Sequence, residues 1–120
     1  MLNLDTHIVI HALRGELTEK ERRILSADTW SISGIVLWEL SKLVQLGRVE
    51  MDLADPEVVR ALSKIHTWPL TLEICLGIHD LDFSSDPADE IIASTSIVHR
   101  VPLVTRDGKI RESKLVPLAK

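Results

Sequence analysis

Four acids stand where a short apolar run gives way to polar chain, or inside an apolar helix pattern. Asp5 follows "MLNL", Asp107 ends the run in "LVTRDGKI", Glu39 lies inside "SGIVLWELSKLV", and Asp89 opens "DPADEIIAS". If the four met, each pair about 4 Å apart would repel by roughly 4 kcal/mol at an effective dielectric near 20. Such a cluster needs protons or a hard divalent cation, and an all-oxygen site completed by water suits Mg²⁺ or Mn²⁺. An ion so held lowers the pKa of water, polarises a phosphoryl oxygen and, as a pair, aligns entering and leaving oxygens. Phosphodiester hydrolysis is the reaction that fits.

Two of these acids also have ordinary readings. Glu39 shares a helical stripe with Ile35, Val36 and Leu43, so it is either an acid at the edge of the core or an exposed partner of Lys42 three residues on. Asp89 sits three residues after Asp86, and both can serve free backbone donors and the helix dipole. Capping alone does not call for Asp86, Asp89 and Glu90 within five residues.

The elements that must position these acids alternate along the chain. Residues 1–4 read as a short buried strand and "THIVIHAL" as a helix broken at Gly15. Thr18 and Glu21 form a capping-box pattern ahead of a second helix reaching about Leu25. "TWSIS" is strand two; Ser33 caps a helix over Gly34 to Leu46, stopped by Gly47. Asp55 and Pro56 start a helix through about Ile65, "TWPLT" is strand three, and Thr71 begins a short helix to about Ile78. Asp86 and Pro87 open the helix "DPADEIIASTSIVH"; "VPLVT" is strand four, and after a short turn "LVPLA" is a candidate fifth edge strand. Alternating strands and helices predict an α/β fold with a mostly parallel, four- to five-stranded sheet between helical layers, as one domain over residues 1–120. Ligands in such folds bind beyond the carboxyl ends of the strands, which is the rim of Asp5 and Asp107.

Composition agrees, with 45% hydrophobic and 27% charged residues. The single cysteine, Cys75 in "LEICLGI", excludes a disulfide framework and a cysteine zinc site and reads as a buried structural thiol. No basic leader with a long apolar run and no membrane-length apolar stretch occurs, so the expected compartment is the cytoplasm. Net charge is −4, but residues from Arg100 to Lys120 carry +4 and the first 99 carry −8. A basic end beside an acidic pocket can attract a phosphate backbone locally. Arg106, Lys109 and Arg111, just past Asp107, are the candidate phosphate contacts.

In order and spacing, "LDTHIVIHAL", "SISGIVLWELSKLVQLGRVEMD", "WPLTLEI" and "DPADEIIASTSIVHRVPLVTRDGKI" resemble a PIN domain of the VapC ribonuclease-toxin type over almost the whole chain. The resemblance implies a PIN-like three-layer sandwich and a metal-dependent endoribonuclease using Mg²⁺ or Mn²⁺, with Asp5, Glu39, Asp89 and Asp107 as catalytic metal-holding acids. It also implies Asp86 as an accessory acid, and Thr105, in "VTRD", orienting Asp107 or a metal-held water; Thr6 would do likewise for Asp5. A homodimer and a cognate VapB-like antitoxin blocking the groove are further implications. One position departs from the pattern: Glu90 stands where many relatives carry Arg after the late-helix aspartate.

Competing readings fit less well. His7 and His11 are four apart, but the metalloprotease pattern H-E-x-x-H is absent. His66, His79 and His99 fall at predicted helix ends, and Trp30, Trp38 and Trp68 read as core or interface anchors. A phospho-acceptor receiver domain needs paired acids after strand one and an acid after a middle strand, whereas "LDTHI" supplies one and "TWPLT" none. A dehalogenase-type phosphatase needs D-x-D, and its second position here is His7. A non-catalytic module whose acidic pocket only holds a partner stays open at this stage.

Overall fold

The computed structural model describes all residues from Met1 to Lys120. Its sheet has four strands, β1 (Leu2–Leu4), β2 (Trp30–Ser33), β3 (His66–Trp68) and β4 (Leu103–Val104), in the order β3-β2-β1-β4. Every pairing is parallel, with Asn3 opposite both Ser31 and Leu103. All of β1 is buried, as a central strand covered on both faces must be.

Between the strands run α1 (Thr6–Arg14), α2 (Glu19–Ser26), α3 (Gly34–Gln45), α4 (Pro56–Ser63), α5 (Leu72–Gly77), a 3₁₀ turn (Ile78–Asp80), α6 (Pro87–His99) and α7 (Gly108–Glu112). Local chemistry sets most of their ends. Thr18 and Glu21 form the expected capping box of α2, through bonds of 2.9 and 3.1 Å. Ser33 caps α3 and Asp55 caps α4. Gly15 ends α1 at φ 71°, a left-handed conformation in which its N–H and that of Glu16 reach back to Ala12 and His11.

The differences from the sequence expectations have local causes. Strand three begins one residue earlier and stops at Trp68, because Pro69 has no N–H for the ladder. Pro102 and Pro117 likewise shorten the C-terminal strands: β4 is two residues, and the expected fifth strand contracts to a single parallel bridge between Leu103 and Leu118. The segment after Asp107 is not a turn but α7, which the sequence reading missed. Cys75 is only half-buried.

The main core joins Leu2, Leu4, Ile8, Val9 and Leu25 to Ile32, Val36, Ile92, Leu103 and Ile110, so the strands beneath the acidic rim are fixed from both sides. Ile10, Leu40 and Val49 form a smaller cluster. Asn3 is fully buried, yet it anchors β1 to α6 by donating to Ile92 O at 3.3 Å and Ser96 Oγ at 2.9 Å. Trp30 and Trp68 are partly buried, with indole N–H groups bonded to Leu25 O and Ser31 Oγ, whereas Trp38 is 59% exposed.

Candidate active site

The chain leaves β1 and β4 side by side, at the point where successive connections turn to opposite sides of the sheet. A crevice opens there by topology alone. Asp5, the residue after β1, also caps α1, accepting from the Thr6 N–H at 2.7 Å through Oδ1. Its other oxygen accepts from Thr105 Oγ1 at 2.6 Å across 100 residues of sequence. Thr105 Oγ1 in turn accepts from the Asp107 N–H at 3.0 Å, so one buried hydroxyl ties the ends of both strands together.

Asp107 caps α7 by accepting from the Ile110 N–H at 3.0 Å, which consumes Oδ1 and leaves Oδ2 without a protein donor. Glu39, in the second turn of α3, is half-buried and accepts through Oε1 from Thr6 Oγ1. The Lys42 pairing does not form, since that ammonium goes to Gln45. Thr6 therefore serves Glu39 with its hydroxyl and Asp5 with its backbone N–H. Asp89 accepts from Ser85 Oγ at 2.8 Å.

The Asp86 side chain makes no capping bond although it occupies the cap position of α6, so neither Asp86 nor Asp89 is engaged in serving the helix end. Both line a polar cleft of about 630 Å³ with Ser84, Ser85, Asp107, Gly108 and Lys109. Glu90, the departing position, accepts from the Ser85 N–H at 3.2 Å and so braces the residue that aims Asp89.

Electrostatics show which acids meet. Burial pushes the Asp5 carboxyl above its ordinary value, hydrogen bonds from Thr105 and Thr6 and the charge of His7 pull it back, and Glu39 adds repulsion. Burial also raises Asp89; Ser85 opposes this, while Asp5, Asp107 and Asp86 repel it. The structure thus brings Asp5, Glu39, Asp89 and Asp107 into one field, with Asp86 beside them. No Lys, Arg or His lies within ion-pair distance of any of them, because the ion pairs of the chain all involve Glu16, Glu21 or Asp28. The carboxylates stand open: no three His, Cys, Asp or Glu groups close on a common point by themselves.

The candidate phosphate contacts divide. Lys109 lies on the acidic cleft, its ammonium on Ser84 O at 3.2 Å. Arg111 donates to Thr105 O at 3.1 Å. Arg106 turns away to α2, where it grips Glu21 with two bonds of 2.7 Å. Sequence reasoning passed over Ser85 and read Glu21 only as a capping-box residue, not as the partner of Arg106; the pair "SS" directly before "DPADE" was the available signal for the first.

These features define a small parallel α/β domain with an unneutralised carboxylate cleft at its topological switch point. The chain belongs to the PIN domain family, whose model matches residues 3–114 and whose members are generally nucleases. No curated protein matches it in sequence. Among solved structures it is similar to VapBC2 from Rickettsia felis bound to a DNA fragment from their promoter, at TM-score 0.75 and 20% identity, covering 98% of this chain and 97% of that one. A toxin-antitoxin complex from Klebsiella pneumoniae aligns at TM-score 0.69 and 20% identity over 93% and 91% of the two chains. FitAcB from Neisseria gonorrhoeae aligns at TM-score 0.69 and 18% identity over 100% and 97%. No helix is long and apolar enough to cross a membrane.

Proposed function

We propose that this protein is a Mg²⁺- or Mn²⁺-dependent endoribonuclease and the toxin of a VapBC-type pair, acting as one domain in the cytoplasm. The observation that carries the reading is the set of four carboxylates, Asp5, Glu39, Asp89 and Asp107, sharing one field with no Lys, Arg or His within ion-pair distance of any of them. A buried carboxylate is not held charged at neutral pH without compensation. The donor set, all oxygen and open, fits a divalent ion that keeps several waters.

These four residues would hold the ion, which supplies Lewis acidity and a lowered pKa for water when bound. The chain itself does the aiming. Thr105 and the Thr6 N–H fix Asp5, the Thr6 hydroxyl fixes Glu39, Ser85 fixes Asp89, and the capping bond to α7 fixes Asp107. Glu39 Oε2, Asp89 Oδ1 and Asp107 Oδ2 are left without protein donors. Asp86 adds negative charge at the rim, and Lys109 is the cation placed to meet an RNA phosphate there. A VapB-like antitoxin covering the crevice, supported by the shared fold with the Klebsiella pneumoniae toxin-antitoxin complex, and a homodimer, implied by the VapC-type resemblance, complete the proposal.

The test is incubation of purified protein with defined transfer and messenger RNAs, with and without chelator, beside Asp107→Asn. Asparagine keeps the capping oxygen for Ile110, so the fold persists. Cleavage that needs the divalent ion and disappears in the variant is expected. Equal cutting by both proteins, or no cutting with any divalent ion, overturns the proposal in favour of a binding role.

A further inference from the structure

On the other side of β4 from the acidic cleft, α2 and the C-terminal segment enclose a groove made of two clefts, about 460 and 500 Å³, that share Lys20, Ile24 and Ala119. Its upper end is lined by Thr105, Arg106 and Arg111, and Thr105 is the residue bonded to Asp5, so the groove begins where the carboxylate site ends. Its lower end passes Arg23 and Pro102. From Thr105 down to Pro102 the strand spans roughly 10 Å.

Charge in this groove is one-sided. Its two acids are both taken: Glu21 by the Arg106 guanidinium, and Asp28 by the Met1 amine at 2.8 Å. Lys20, Arg23 and Arg111 have no carboxylate within 4.0 Å, and all three are exposed. Arg111 is held in place through a neutral acceptor, Thr105 O, so its charge stays available. A line of unneutralised cations on a chain of net charge −4, running out of an acidic crevice, is the complement of a phosphate backbone. Ile24, Pro102 and Leu118 add apolar surface between these charges.

We infer that this groove, through Lys20, Arg23 and Arg111, holds the phosphates of the RNA strand on one side of the scissile bond. The inference rests on the ribonuclease reading for the identity of the polyanion. Arg106 is here a brace that neutralises Glu21 and keeps the groove open to anions.

The experiment measures binding of a fluorescein-labelled 16-residue oligouridylate by fluorescence anisotropy in chelator, across 50–300 mM KCl. The proteins are wild type, Lys20→Gln/Arg23→Gln, and the charge-matched control Arg48→Gln/Lys64→Gln, whose positions are exposed and lie outside both clefts. The groove double variant is expected to bind at least about fivefold more weakly at 100 mM KCl. Its slope of log affinity against log salt should be shallower by about 1.4, two single-strand contacts' worth. The control should stay within about twofold of wild type, and metal-dependent cleavage by the groove variant should show a raised KM with kcat unchanged.

Wild-type binding by the groove variant, or equal losses in both doubles, overturns the inference. So does a groove variant that loses affinity for polyglutamate while keeping it for RNA, which would assign the surface to an acidic protein partner. If wild type cleaves no RNA but the groove variant still loses binding, the ribonuclease reading fails and the groove stands. If cleavage is metal-dependent and both doubles bind as wild type does, the groove alone fails.

Discussion

Replacing Thr105 with valine removes a single oxygen from a site with almost no solvent, since Thr105 is 4% and Asp5 3% exposed. The shape is kept, so no cavity term enters. Asp5 Oδ2 loses its 2.6 Å donor and the Asp107 N–H loses its 3.0 Å acceptor. Each buried group left unsatisfied costs about 1–3 kcal/mol, and because Asp107 is half open to water the sum is about 3 kcal/mol. With a urea m-value of about 1.5 kcal/mol/M, the midpoint of unfolding should fall by about 2 M. The loss should also depend on pH. Burial raises Asp5 above its ordinary 3.8 in the folded protein, so its protonated form is the one folding favours. Stability from this group is fully present below that value and lost as pH rises through the raised one. Thr105 limits the rise, and without it the loss at neutral pH is larger. Urea titrations of wild type, Thr105→Val and Thr105→Ser in chelator at pH 3.5 and pH 7 measure this. A deficit for valine that is larger at pH 7, with serine close to wild type, is expected. A deficit equal at both pH values, or serine as damaging as valine, refutes the reasoning.

Added Mg²⁺ or Mn²⁺ should raise the melting temperature of wild type as a ligand of the folded state does, and Glu39→Gln should abolish most of that rise; a full rise in the variant would remove Glu39 from the ion's ligands. The two hydrogen bonds from Arg106, the first cause, hold Glu21 down at about 2 from 4.5. Its stabilising contribution is therefore present above 4.5 and lost as pH falls toward 2. Glu21→Gln should flatten that acid limb in a thermal melt series, and a double-mutant cycle with Arg106→Ala should show coupling of about 1 kcal/mol. Gly77→Ala would drive a Cβ into Ser94 Oγ, a buried hydroxyl already bonded to Ile74 O at 2.6 Å. It should destabilise by about 1–3 kcal/mol, partly relieved by adding Ser94→Ala, as read by denaturant unfolding.

The elements were legible in the sequence because their signals are local. A capping box at Thr18 and Glu21, Pro87 at the start of α6 and Gly15 beyond α1 act over a single turn, and each stands where the pattern puts it. Where prediction slipped, the cause was also local but competing. Pro69, Pro102 and Pro117 withheld ladder donors from runs whose β-branched and apolar residues otherwise read as strand. The helix after Asp107 hid behind a five-residue stretch too short to show a period.

What the acids do to one another was not in the chain as written. Periodicity left Glu39 between a solvent pair with Lys42 and a place at the core's edge, and the Thr6 hydroxyl decided it. Asp86 and Asp89 looked equally fit to cap a helix, and neither does. The tie between Asp5 and Thr105 spans 100 residues and exists only because β1 and β4 are neighbours in the sheet. The sequence by itself determined the residue types, the short-range caps and the acids' places at element ends, since those follow from contacts within a turn or a strand. Only the tertiary structure decided which carboxylates share a field and which cations stay unpaired, because Coulomb energy and desolvation depend on distances through space that strand order and packing set.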